Sequence, residues 1–92
     1  MGEALDLRRK RLLYLSWRRG MRETDLLLGR FADRHLRALS EDQLGRYEKL
    51  LEVEDGLLLD WVTRRLAPPA EHDSDVLRLL IEFHHAHDAR RA

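Results

Sequence analysis

The chain has 92 residues, the length of one small domain, and a core of this size leaves little room for a deep active-site cavity. Seventeen lysines and arginines balance seventeen acids, so the net charge of zero provides no global field for holding DNA or an acidic membrane. The absence of cysteine excludes disulfides, thiolate zinc sites and cysteine catalysis.

The apolar residues repeat at helical rather than strand spacing, and valine and isoleucine are scarce. A first helix is predicted from about Leu5 to Trp17, with Gly20 as a left-handed stop beyond it. Arg18 and Arg19 would then lie where the helix dipole favours cations. The longest apolar run, residues 12–15, is far shorter than the ~20 residues that cross a bilayer.

A second helix is predicted to begin near Arg22, with Glu23 and Asp25 in the first turn, where the helix dipole favours anions. Its apolar face follows helical spacing and should form part of the core. This face comprises Leu28, Phe31, Ala32, Leu36 and Leu39.

The third helix has the clearest start in the sequence. Ser40 and Gln43 have the spacing of a capping box, and Leu39 with Leu44 supplies a hydrophobic staple around it. Leu44, Tyr47, Leu50 and Leu51 follow at helical spacing.

Two further helices complete the predicted chain. Asp55 is predicted to cap a fourth helix that includes Trp61, and Asp73 or Ser74 to cap a fifth. The fold prediction is therefore an all-α, compact five-helix bundle in a single domain, residues 1–92, with its core at about 5–88 and a polar C-terminal tail. We expect Trp61 in the core, whereas Trp17 could be either core or surface.

Two polar clusters have an ordinary explanation beside a functional one. His84 with His87 or Asp88 has the spacing of a metal-binding pair, but histidines are also favoured in a last helical turn, and we expect no metal. The basic run Arg8–Arg11 could contact nucleic acid, but a solvated helix face explains it better. No nucleophile elbow or Gly-rich phosphate loop occurs, so we expect no enzyme activity.

The segment from Arg18 to Glu23 joins the first two predicted helices. Its charges suit the dipoles of the two helix ends, which is enough to explain its folding. The segment would also form an exposed surface that a partner could recognise. Arg19 would be a fork donor, meaning a guanidinium that can donate two parallel hydrogen bonds, and Glu23 would supply a carboxylate. Gly20, which has no side chain, would leave room for another backbone.

This segment carries a family resemblance. The pattern Arg19-Gly20-x-x-Glu23 resembles the signature of the SdhE family, the FAD assembly factors of succinate dehydrogenase (succinate dehydrogenase assembly factor 2-like). The family's Leu-Ser-x-Asp/Glu helix start resembles residues 39–42, and its Leu-Leu-Glu-x-x-Asp segment before an aromatic helix resembles residues 50–61. The resemblance covers about residues 10–85 in the same order.

The resemblance implies a five-helix chaperone that binds the flavoprotein subunit of succinate dehydrogenase, and in some bacteria of fumarate reductase. It would promote covalent attachment of FAD, which belongs to the client, so that the factor has no cofactor of its own. The implied location is the bacterial cytoplasm, although the sequence alone also allows a processed organellar protein. By position, the implied partner-binding residues are Arg18, Arg19, Gly20, Arg22, Glu23 and Asp25, with Glu52 and Asp55 as a second contact region.

The alternative function is a small Arg-rich helical nucleic-acid-binding protein. It would use the basic run Arg8–Arg11 together with Arg18, Arg19 and Arg22. Because the net charge is zero, this alternative ranks second, and we expect no nucleic-acid partner.

Overall fold

The computed structural model describes residues 5–91, with side chains described for residues 5–86. Within residues 5–91 the regular structure consists of five α-helices and two 3-10 turns, without a strand, which confirms the all-α prediction. The helices are α1 (Leu7–Ser16), α2 (Arg22–His35), α3 (Glu41–Leu51), α4 (Asp55–Val62) and α5 (Asp75–Arg91), and the 3-10 turns are Leu36–Ala38 and Ala70–His72. The Cα radius of gyration is 12.8 Å, near the roughly 12 Å expected of a compact chain of this length.

Helix α2 supplies much of the core. Leu28, Phe31 and Ala32 are at most 2% exposed, because residues three and four apart face the same side of the helix. α1 and α5 pack against this helix, and α3 packs against both of them. The apolar residues predicted for one face of the second helix are all buried, although α2 ends at His35 and Leu36 and Leu39 belong to the 3-10 turn and its C-cap.

The buried Tyr47 joins α3 to α1. Its hydroxyl lies 2.6 Å from that of Ser16, while Ser16 donates to the carbonyl oxygen of Leu12 at 2.7 Å. The serine proton is used on that carbonyl, and the other acceptor near the Tyr47 hydroxyl, the Leu28 carbonyl oxygen, is farther away at 3.5 Å. Tyr47 is therefore the donor to Ser16. Burial raises the pKa of the Tyr47 phenol, so the hydroxyl stays neutral and able to donate.

Two of the predicted helix starts are confirmed. At α3, the Ser40 side chain accepts from the Gln43 N–H at 3.1 Å and the Gln43 side chain accepts from the Ser40 N–H at 2.9 Å, which completes the capping box. At α5, Ser74 Oγ accepts from the Leu77 N–H at 3.2 Å. Of the two candidates for this cap, Ser74 is therefore the one used.

The predicted cap of α4 was wrong by one residue. Glu54, not Asp55, is the N-cap, and its carboxylate accepts from the N–H groups of Gly56 and Leu57 at 3.3 and 3.1 Å. Asp55 is the first helical residue. The Asp55 carboxylate could also have capped this helix, but it accepts hydrogen bonds from Arg19 and from the Gly20 N–H instead.

The predicted ends of the first helix also differ from the structure. α1 begins at Leu7, because Asp6 caps it by accepting from the Arg9 N–H at 2.8 Å, and it ends at Ser16 with Trp17 as C-cap. Gly20 does not adopt a positive φ, so the prediction of a left-handed stop there was wrong.

A left-handed residue instead follows α4. Arg64 has a φ of 65°, and the Arg64 and Arg65 N–H groups donate to the carbonyl oxygens of Trp61 and Asp60 at 3.1 and 2.8 Å. These bonds form the Schellman arrangement that usually places glycine where Arg64 lies.

The two tryptophans occupy different environments. Trp61 is 3% exposed, which confirms its core prediction. Trp17 is 36% exposed and lies with one face of its indole against Gly29 of α2, where a Cβ would overlap the ring. Trp17 is thus both a packing residue and a surface residue. Within residues 5–91, the helices fall short of the length and apolar character that a membrane crossing requires.

Candidate functional site

The Arg19 side chain links the segment between α1 and α2 to the segment between α3 and α4. Its guanidinium donates through Nε to Asp55 Oδ1 at 2.7 Å, through Nη1 to the Leu51 carbonyl oxygen at 2.6 Å and through Nη2 to the Val53 carbonyl oxygen at 2.6 Å. The Arg19 and Asp55 side chains are only 11% and 13% exposed. We call Arg19, Gly20, Asp25 and Asp55 the clamp.

The positions of these two charges match the dipoles of the helices they join. The last carbonyl groups of α3 have no partner within the helix, and a cation is favoured there. Asp55 lies in the first turn of α4, where an anion is favoured. Arg19 therefore supplies donors to the end of α3 and a counterion to the start of α4.

The backbone of the segment between α1 and α2 is also held by carboxylates. The Gly20 N–H donates to Asp55 Oδ2 at 2.7 Å, and the Arg19 N–H donates to Asp25 Oδ1. A Cβ at residue 20 would lie 3.0 Å from Asp55 Oδ2, closer than ordinary van der Waals contact. Glycine is therefore favoured here by the close approach of the carboxylate, and not by a left-handed backbone conformation.

The clamp keeps Asp55 ionised. Partial burial acts to raise the pKa of its carboxyl, but the hydrogen bonds from Arg19 and from the Gly20 amide, with the Arg19 charge, lower the pKa below its ordinary value. The carboxylate is thus fixed by charge and by two hydrogen bonds at once.

The other predicted site residues point outward. Arg22, Glu23 and Glu52 are exposed, and within the described part of the chain their side chains have neither a hydrogen bond nor an ion pair. Arg18 is also exposed, and its guanidinium carbon lies 4.6 Å from the centre of the Tyr14 ring. We call Arg18, Gly20, Arg22 and Glu23 the corner.

The structure therefore divides the eight predicted residues by whether their side chains are engaged within the chain. The side chains of Arg19, Asp25 and Asp55 are engaged, those of Arg18, Arg22, Glu23 and Glu52 are exposed, and Gly20 belongs to both the clamp and the corner. The expectation that Arg19 is an exposed fork donor was wrong, because its guanidinium is turned inward onto Asp55 and two carbonyl groups. Asp25 and Asp55 likewise have their carboxylates engaged within the chain. Partner binding by the exposed residues stays a prediction, and the side chains of the clamp would influence it by holding the corner in place.

Sequence reasoning missed the carbonyl groups of Leu51 and Val53, which complete the clamp. Backbone acceptors have no side-chain signature. The role of Gly29 was missed as well, because the sequence does not show that this residue admits the Trp17 indole.

The basic run of α1 is partly used within the fold. Arg8 lies 3.0 Å from Glu48 and 2.8 Å from Glu41, and its hydrogen bond to Glu48 lowers the pKa of that carboxyl. Arg9 donates to the carbonyl oxygens of Leu36 and Leu39. The prediction of a solvated face was thus wrong for Arg8 and Arg9, which tie α1 to neighbouring elements.

Among the described side chains, no cluster of three or more histidines and carboxylates could hold a metal ion. The rings of His84 and His85 lie 5.2 Å apart. The side chains of His87 and Asp88, the suggested partners of His84, lie outside the described residues.

A family model described as the flavinator of succinate dehydrogenase matches residues 10–84. The match includes the corner, the clamp, the whole of α2, α3 and α4, and most of α1 and α5. The chain belongs to this family. The SdhE-like resemblance of the sequence is thereby confirmed.

Curated relatives agree with the family match. The chain is 41% identical over 85 residues to succinate dehydrogenase assembly factor 2, mitochondrial, of Debaryomyces hansenii, covering 88% of this chain and 60% of that protein. It is 42% identical over 84 residues to the Danio rerio protein of the same name, covering 89% of this chain and 53% of that protein. The chain thus spans between half and two thirds of the length of these relatives.

The predicted location was wrong. The chain was expected in a bacterial cytoplasm, whereas the curated relatives from Debaryomyces hansenii, Danio rerio and Drosophila willistoni are all named as mitochondrial proteins.

Proposed function

We propose that this protein is an assembly factor that binds the flavoprotein subunit of succinate dehydrogenase and promotes covalent attachment of FAD to it. The observation that carries the proposal is the match of the flavinator family over residues 10–84, which contains both the corner and the clamp. FAD belongs to the client in this proposal, and the bond forms through the chemistry of the flavin and the client. The flavoprotein of a fumarate reductase is a second client to test.

The geometry supports a docking role for the corner. Arg22 and Glu23 project from the first turn of α2, and the hydrogen bonds of Arg19 and Gly20 anchor the preceding segment to Asp55. A surface fixed in advance loses less conformational entropy when it binds, so more of its interaction energy appears as affinity. Arg19, Asp25 and Asp55 would therefore contribute to binding without touching the client.

The mechanism we propose is stabilisation of one client conformation. A binding protein shifts a conformational equilibrium only by its difference in affinity for the two states. Couplings of this kind are typically about 1–3 kcal/mol, or roughly 5- to 150-fold. Ion pairs from Arg22 and Glu23 that form only when the client holds its acceptor side chain against the flavin would supply such a difference.

Glu23→Ala is the decisive variant. Because Glu23 has no partner within the described chain, its removal should cost no more than the roughly 0.3–1 kcal/mol of an acid in a first helical turn. We expect the variant to remain folded and to reduce covalent flavin in the co-expressed client, measured by in-gel flavin fluorescence. Asp33→Ala is the matched control, since Asp33 is an exposed acid near the other end of the same helix.

Gly20→Arg also tests the corner, and in addition it disturbs the contact between residue 20 and Asp55. Its Cβ would lie 3.0 Å from Asp55 Oδ2, so the carboxylate that accepts from the residue 20 amide must shift, and we expect lower covalent flavin together with lower thermal stability. Unchanged client fluorescence with both Glu23→Ala and Gly20→Arg would contradict the proposal.

A further inference from the structure

Helix α1 has an apolar outer surface. Leu7 is 83%, Tyr14 57% and Leu15 39% exposed, although the opposite side of the helix already buries Leu12 and Ser16 in the core. A surface helix normally directs polar side chains to solvent on the side away from the core. α1 thus presents a partly covered apolar strip, in which Leu7 is the most exposed residue and Tyr14 is covered in part by Arg18.

Leu7 and Leu15 of the strip form part of one wall of a groove between α1 and the end of α3. The groove has a volume of about 660 Å³ and opens to solvent. Its apolar walls are Leu7 and Leu15 on one side and Leu51 on the other, with Arg11 and Glu52 at its polar margin. We call these five residues the α1 groove.

The α1 groove is continuous with the corner. The Leu51 side chain lines the groove, while its carbonyl oxygen accepts from Arg19 Nη1 at 2.6 Å. Arg18 of the corner lies over the ring of Tyr14, which neighbours Leu15 of the groove in the chain. The groove is therefore adjacent to the corner, so that one partner could contact both.

The charged residues near the groove indicate which charge a bound segment should carry. Lys10 and Arg11 are exposed, and their side chains have neither a hydrogen bond nor an ion pair among the described residues. Glu48 in the groove is already paired with Arg8, which leaves Glu52 as the one unpaired acid among the lining residues. Among the lining residues the unpaired charges are thus Arg11 on the α1 side and Glu52 on the α3 side, and Lys10 adds a further positive charge on α1 just outside the groove.

We propose that the α1 groove binds a segment of the flavoprotein subunit that presents apolar side chains beside carboxylates. The inference rests on the proposed function and adds a second docking surface next to the corner. Apolar side chains would cover Leu7 and Leu15, which removes exposed hydrocarbon from water, and the carboxylates would pair with Lys10 and Arg11.

The apolar contact is tested with Leu7→Glu. The purified flavoprotein subunit is titrated against the full chain, and the variant should bind about tenfold more weakly or worse, as expected for an anchor residue. Leu66→Glu is the matched control, because Leu66 is 49% exposed and lies beyond α4, away from the groove. Both substitutions are at exposed positions, so their melting temperatures should stay close to that of the wild type.

The charge contact is tested with Arg11→Glu and its control Lys49→Glu, an exposed cation on α3. Arg11→Glu should weaken binding of the same subunit and reduce the salt dependence of the affinity, because an attractive pair is lost. Tighter binding by Arg11→Glu would mean that the occupant is basic, which would overturn the proposal.

The outcomes separate this inference from the proposed function. If the wild type neither binds the subunit nor raises its covalent flavin, the proposed function fails. If the wild type binds while Leu7→Glu and Arg11→Glu bind equally well, the groove proposal alone is overturned. A dimer in sedimentation velocity that Leu7→Glu dissociates, without a change in client affinity, would assign the groove to a second copy and also overturn it.

Discussion

Asp55→Asn isolates the energetic contribution of the clamp. The substitution preserves side-chain size but removes the charge opposite Arg19, and its amide can offer one carbonyl oxygen where the carboxylate accepts from both Arg19 Nε and the Gly20 N–H at 2.7 Å. A hydrogen bond to a charged group contributes about 1.5–3 kcal/mol, and leaving a buried charge unpaired costs about 3–5 kcal/mol. Since the pair retains some exposure, we expect a loss of about 2–4 kcal/mol.

This loss should weaken the fold without abolishing it. A domain of this length is typically stable by roughly 5–14 kcal/mol, and each kcal/mol shifts the melting temperature by about 4–8 °C. The assay is urea unfolding followed by far-UV circular dichroism at pH 7. Asp60→Asn is the control on the same helix, because its carboxylate is 43% exposed and 4.0 Å from Arg65, a geometry worth at most about 1 kcal/mol.

The pH dependence gives an independent check. The folded-state pKa of Asp55 is lowered, whereas an unfolded aspartate titrates near 3.9. The clamp's contribution is therefore fully present above about pH 4 and is lost as the pH falls through the folded-state pKa. The gap between wild type and Asp55→Asn should be largest at pH 7 and shrink below pH 4. A variant within ~0.5 kcal/mol of the wild type at pH 7, or a gap that does not change at low pH, would refute this reasoning.

Three further substitutions test local features of the fold. Arg64→Gly should raise stability by about 1 kcal/mol, seen as a higher melting temperature, because its φ of 65° is costly for a residue with a Cβ; a lower melting temperature would contradict this. Gly29→Ala should lower stability by about 1–3 kcal/mol and change tryptophan fluorescence, since the new methyl displaces the Trp17 indole; an unchanged spectrum would count against that contact. Ser40→Ala should cost about 1 kcal/mol in urea unfolding through loss of the capping box, and no measurable cost would show that the cap is dispensable.

The clamp changes how the Arg19-Gly20-x-x-Glu23 pattern is interpreted. Arg19 is directed into the chain and Gly20 is placed where a carboxylate approaches its amide, whereas Glu23 is exposed. If the proposed function holds, substitutions in the first two positions should reduce both stability and flavinylation, while substitution of Glu23 should reduce flavinylation alone. Measuring the two properties on the same variants would distinguish positioning from contact.

Features set by neighbours along the chain could be read from the sequence. The capping box of Ser40 and Gln43, the buried face of α2 and the core position of Trp61 all follow from residue types at spacings of three or four. The family pattern was readable for the same reason, because its motifs are short and keep their order. Together they specify five helices and the location of the corner.

Features set by distant partners could not be read from the sequence. Arg19 and Asp55 are 36 residues apart, and the other acceptors of Arg19 are backbone carbonyl groups, which every residue has. Because this distant contact occupies the Asp55 carboxylate, Glu54 caps α4 instead.

By itself, the sequence therefore determined the helices, their core faces and the family, because these depend on interactions within one or two helical turns. Only the tertiary structure decided that Arg19 is buried and Glu23 exposed, and that α1 carries an apolar outer strip. The physical reason is that exposure and ion pairing depend on which helix ends are brought together in space, and local periodicity does not contain that information.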